Sequence, residues 1–259
     1  MADNEIIHVA IAPPPKLDDN LVRSVATVIN KNPYDARLLL AGRIPKIIAH
    51  YNNRQTVESV IQKLHALGLA AMACRDAELR PSSPSFQVQT MEFGGGEALF
   101  RDNGNHEKKI AADNVFLVLE GKIPASAGIE TTKTTTKINL TATLLTGGIP
   151  IMRKVNQTTT TAATQDEWLA RLYDRKSPEP SVELRQHQMN YSFLGAKIAV
   201  SSLANFSTVV NRLRELFPQA IFDDRLIKSF GAISPSRAWE DFEINCRLIY
   251  LFHHGTSGD

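Results

Sequence analysis

The chain has 259 residues, 43% of them hydrophobic and 22% charged, with 29 basic against 27 acidic side chains for a formal charge of +2. These proportions exclude a disordered, collagenous or heptad-repeat chain and predict a buried core in one large or two small units. So even a charge balance gives no support for nucleic acid as a partner. Cys74 and Cys246 lie far apart with no CxxC or Cys/His cluster beside either, the usage of a reducing compartment. The apolar stretch at residues 6–12 is cut short by three prolines, and no run is long enough for a signal peptide or a bilayer span. A cytoplasmic protein without integral membrane association is expected.

In chain order, Ile6, Ile7, Val9 and Ile11 predict a strand ended by Pro13, Pro14 and Pro15. Asp18 or Asp19 is placed to cap a helix carrying Val22, Val25, Ala26 and Ile29 on one face. Asn32 followed by Pro33 starts a second, short helix that Gly42 closes. Residues 44–51 predict a strand. Thr56 opens a third helix with Val57, Val60, Ile61, Leu64 and Leu67 along one side, Gly68 stands where a left-handed C-cap belongs, and residues 69–74 return as a strand. Strand, helix, helix, strand, helix, strand is an α+β order with helices on one face of a small sheet, expected as a domain over residues 1–80.

Within it, Tyr34-Asp35-Ala36-Arg37-Leu38-Leu39, Ile44-Pro45-Lys46-Ile47-Ile48, Val57-Glu58-Ser59-Val60 and Leu64-His65-Ala66-Leu67-Gly68-Leu69 resemble the C-terminal domain of the ribosomal stalk protein. The element order is also similar to that of the Clp protease adaptor. The stalk resemblance implies a protein-binding surface of basic helix residues, here Arg23, Lys31 and Arg37, of the kind that docks translation GTPases. The adaptor resemblance implies that Asp18 and Asp19 bind the amino group of a destabilising N-terminal residue, although the family's pocket histidine is replaced around Ala41 and Gly42. The same aspartates also suit a plain N-cap at the positive end of a helix dipole, and basic residues on a helix suit a solvated face.

Residues 80–85, Arg-Pro-Ser-Ser-Pro-Ser, have linker chemistry, and a second domain is expected over 86–259. Phe86 to Phe93 and Ala98 to Phe100 predict strands around a Gly94-Gly95-Gly96 turn. Asp102-Asn103-Gly104-Asn105 predicts a hairpin turn, and residues 108–110 and 115–120 predict further strands. Threonine tracts at 131–136 and 158–161 suit half-exposed strands. Residues 168–173 and 182–194 predict two more strands, and Asn205 is placed to cap a helix carrying Phe206, Val209, Val210, Leu213 and Leu216. A row of antiparallel strands closed by one amphipathic helix is similar in topology to pleckstrin-homology-like and GRAM-like folds. The tail at 223–252, with Trp239, Phe242, Cys246 and Ile249, suits a last helix packed on the core or on a partner.

No catalytic constellation emerges. The glycine clusters lack phosphate-loop spacing, the seven histidines never fall at metal-ligand spacing, no serine sits in a GxSxG elbow, and Cys246 among apolar neighbours reads as a buried, inert thiol. No cofactor and no metal are expected. The most basic region, Lys133, Lys137, Arg153 and Lys154, reads as a hairpin edge guarded against aggregation, or as an anionic-lipid or partner edge. The expected function is a non-catalytic adaptor or scaffold that binds another protein. A peripheral module for anionic lipid and an enzyme without a recognisable motif are the alternatives.

Overall fold

The computed structural model describes residues 6–80, 84–123, 129–138, 152–161, 166–228 and 238–256. The middle of the expected linker and the Gly147-Gly148 cluster lie outside them. The fold is α+β.

The first sheet consists of β1 (Ile7–Ile11), β2 (Lys46–Tyr51) and β3 (Ala71–Arg75), ordered β2-β1-β3 and antiparallel throughout. Strand alternation divides β1 between two cores. Val9 and Ile11 pack under α1 (Asp19–Val28), α2 (Pro33–Leu40) and α3 (Arg54–Ala66), which contribute Val22, Val25, Ala36, Leu40, Val57 and Leu64. Ala10 faces the other way. The helix ends follow local chemistry: Asp18 Oδ1 accepts from Leu21 N at 2.8 Å, and Asn32 Oδ1 accepts from Asp35 N at 2.8 Å. α3 begins before Thr56, because Asn53 rather than Thr56 is the cap and accepts from Thr56 N at 3.2 Å. Its other end closes at Gly68, φ +75°, with Leu69 N donating to Leu64 O at 3.1 Å. A short helix, α4 (Asp76–Leu79), follows β3.

Beyond it come β4 (Phe86–Val88), β5 (Thr90–Gly94), β6 (Glu97–Arg101), β7 (Glu107–Ala111), β8 (Leu117–Ile123), β9 (Ile129–Ile138), β10 (Met152–Thr161), β11 (Glu167–Tyr173), β12 (Val182–Arg185), α5 (Ser202–Leu216), β13 (Ile221–Leu226) and α6 (Ala238–Thr256). β5-β6-β7 form an antiparallel sheet, and β9 and β10 a separate two-stranded ladder. The main sheet runs β13-β8-β11-β12-β4, antiparallel at its centre and parallel at both outer pairs, so the described strands form open sheets and no closed barrel.

Two expected elements differ here. The strand expected over 182–194 ends at Arg185, where the chain turns and Tyr191–Lys197 takes up 3₁₀ turns broken at Gly195, φ +56°. Asn205 does not cap α5: Ser201 does, and Asn205 is buried, with its amide holding the backbone of Ala199.

The tail expected to be one helix supplies the edge strand β13 and then α6, which packs on both units. Phe242, Cys246, Ile249 and Tyr250 cover Leu117, Leu119, Leu169 and Tyr173 of the main sheet, while Leu248 and Phe252 pack with Ala10, Cys74 and Leu79. The helix therefore fills the outer faces of two sheets. Burying a large apolar side chain contributes roughly 1.5–3 kcal/mol, so these six residues offset a substantial part of the entropy lost in ordering the helix that carries them. Among the described residues no single helix is long and apolar enough to cross a membrane.

Candidate functional site

The α1–α2 face collects the exposed chemistry of the first unit. α2 has only eight residues and buries Ala36 and Leu40. At 100° per residue, Tyr34 and Leu38 then stand together on the outer side, one turn apart, 71% and 54% exposed. Lys46 fixes the end of this short helix, donating from Nζ to Leu38 O at 2.9 Å and Ala41 O at 2.6 Å, and burial lowers its ammonium below the usual lysine range.

Of the five residues expected there, Asp18 is spent as the N-cap of α1, and Asp19 forms an ion pair with Arg37. A partner would meet Arg37 and Asp19 as a neutral pair rather than as a free cation. Arg23 and Lys31 are exposed and form no ion pair among the described residues. Tyr34 and Leu38 were not singled out from the sequence, where the run Leu38-Leu39-Leu40 passes for core. Its signal was available, since a two-turn helix can bury only one side of three consecutive leucines.

Of the four basic ladder positions, three share a face by register. Arg153 lies opposite Lys137 and Gln157 opposite Lys133, which places Lys133, Lys137 and Arg153 at register positions of one face and Lys154, opposite Thr136, on the other.

Under α6 lies a charge cluster the sequence did not reveal. Arg171 Nε donates to Glu183 Oε2 at 2.6 Å, and its Nη1 and Nη2 donate to Glu243 at 2.7 and 2.5 Å. Arg185 Nε and Gln87 Nε2 complete Glu183 at 2.6 and 2.9 Å. The Arg171 guanidinium also lies 5.6 Å from the Trp239 ring and 5.2 Å from that of Phe242. Burial works to raise the Glu183 carboxyl, but Arg171 and Arg185 more than reverse this and hold it below the usual range. A cavity of about 250 Å³ opens beside the cluster, lined by Pro84, Gln87, Pro180, Arg185 and Trp239 among others. Because each cation already faces a carboxylate, the cluster fixes the entry of α6 to the sheet rather than offering a spare acid or base. Cys246 is buried next to it, its thiol pushed up to about 12 by burial, so it carries no thiolate nucleophile at neutral pH.

Two further histidine contacts join separate elements. His8 Nδ1 and His50 Nδ1 are 2.7 Å apart across β1 and β2, with Asp76 3.5 Å from His8 Nε2. His253 Nε2 meets Asp223 Oδ2 at 2.8 Å, and Arg225 grips the same carboxylate while its Nη1 reaches Arg43 O at 3.3 Å. Among the described residues, no three His, Cys, Asp or Glu side chains converge where they could hold a metal ion.

No family model, no curated protein and no solved structure matches this chain. Its function has to be reasoned from surface chemistry.

Proposed function

We propose that the chain is a non-catalytic adaptor that binds another protein through the α1–α2 face, and that its ligand is an amphipathic segment bearing apolar and acidic side chains. The observation that supports this most is the exposed pair Tyr34 and Leu38 on a helix held rigid by its cap and by Lys46. Tyrosine at the centre of a patch is a characteristic binding hot spot. Arg23 and Lys31, exposed on the same unit, favour carboxylates on the partner and an association that weakens with salt. The stalk-protein resemblance of this unit points to the same class of function.

The test is affinity capture with the full chain, followed by titration of the captured protein. Tyr34→Ala is expected to weaken binding by about 2 kcal/mol, roughly 30-fold, and Leu38→Asp to abolish it. Lys31→Glu slows association. A captured partner indifferent to all three changes refutes the surface, and substrate turnover lost on a single side-chain change refutes the adaptor reading itself.

A further inference from the structure

We propose that the loop ahead of α5 is a contact element for an anionic membrane surface. Ile198, Val200 and Leu203 are exposed to 54%, 109% and 37%, so Val200 stands clear of all surrounding structure on a convex tip. Such a knob offers aliphatic surface that can enter the headgroup layer without a complementary groove.

The tip is held in place by its own chemistry. Buried Asn205 accepts from Ala199 N at 2.6 Å and donates to Ala199 O at 3.0 Å, which clamps the residue between Ile198 and Val200 and leaves those two side chains facing outward. Gly195, at φ +56° and ψ −127°, supplies the kink that leads into it, a conformation that L side chains avoid.

Charge selects the kind of surface. From residue 184 to residue 214 the chain has no Asp or Glu. Arg214 and Arg185 are matched by Glu120 and Glu183, and Arg212 lies over Phe93. Lys197 is exposed beside the tip with no ion pair among the described residues, so an aliphatic wedge with an adjacent free cation faces outward. The Tyr191–Lys197 turns and α5 on either side are anchored in the core through Tyr191, Leu194, Phe206, Val209 and Leu213, so the tip between them is the part that faces outward.

The experiment is sedimentation of the full chain with phosphatidylcholine vesicles, with and without phosphatidylserine. Binding is expected only to the serine-containing vesicles. Ile198→Asp combined with Val200→Asp should cut partition by about tenfold or more, and Lys197→Glu by roughly fivefold, both at unchanged Tm because the side chains are exposed. Leu38→Asp should leave vesicle binding intact, so this result and that for the α1–α2 face stand or fall separately. The proposal is overturned if the wild-type chain stays in the supernatant, if the double variant partitions equally, or if the loop instead captures a protein in the absence of lipid affinity.

Discussion

Gly121 lies on β8 beneath α6, where an added Cβ would stand 2.5 Å from Phe242 Cε2, 2.8 Å from its Cζ and 3.4 Å from Leu226 Cβ. Gly121→Ala measures how tightly the C-terminal helix is seated. In an open strand this change stabilises by about 0.5–1 kcal/mol, because glycine loses more chain entropy on folding than alanine. Here the ring cannot move aside: Phe242 is fully buried, its centroid 5.9 Å from that of Trp239 and 5.2 Å from the Arg171 guanidinium. Overpacking costs about 1–3 kcal/mol, so the sign reverses to a net loss of roughly 0.5–2 kcal/mol. At about 2–4 °C per kcal/mol for a chain of this size, thermal unfolding followed by circular dichroism should fall by roughly 1–8 °C. Phe242→Leu empties the contested space, and in that background Gly121→Ala should regain its ordinary strand effect, giving a coupling of about 1–3 kcal/mol in the double-mutant cycle. A Gly121→Ala protein at least as stable as the parent, with additive effects, would refute the close seating of α6.

Arg171→Met strands two buried carboxylates and should cost about 3–5 kcal/mol in urea unfolding, most of it recovered when Glu183→Gln and Glu243→Gln are added; a loss below about 1 kcal/mol would mean that water reaches the cluster. His50 is held below its ordinary value of 6.5 by burial first, then by His8 and Lys31, with Asp76 on the far side of His8. The unfolded chain therefore takes up this proton before the folded one does, so stability is full above about pH 6.5 and declines as the pH falls. His50→Asn should flatten the decline of Tm between about pH 6.5 and 5, and equal slopes would remove the histidine pair as its cause. Gly68→Ala, at φ +75° with nothing within 4 Å of the added methyl, should cost about 1 kcal/mol from backbone strain alone.

The first unit was legible because its signals are local. Asp18, Asn32 and Gly68 act within four residues of where they stand, and the faces of α1 and α3 show as a 3.6-residue repeat. The Asn53 cap is equally local, but Thr56 three residues on has the same capping chemistry, and the two compete as starts of one helix. Asn205 misled for a physical reason: its preference for capping is real, but the amide is used on the backbone of Ala199, six residues back and outside the helix. β13 was hidden because an edge strand pairing in parallel with β8 needs no turn signal, and its Asp223-Asp224-Arg225 looks like surface. Arg171, Glu183 and Glu243 stand on three different elements, so no spacing along the chain could announce their meeting.

That cluster also explains why a single helix can hold two units in a fixed relation. The packing of Phe242 over Gly121 fixes how closely α6 sits, and Arg171 adds a directional hold on its N-terminal half through Glu243, as His253 does on the other half through Asp223. Burial works to raise the Asp223 carboxyl, but His253 and Arg225 overcome this and hold it well below the usual carboxylate range, so Asp223 remains an ionised acceptor throughout the neutral range. Arg225 extends this hold to Arg43 O, in the turn that follows α2. The α1–α2 face is thereby tied through that turn to the main sheet, whose strand β12 leads into the Ile198–Val200 tip. A partner bound at Tyr34 would then take a set orientation to any surface on which Val200 is seated.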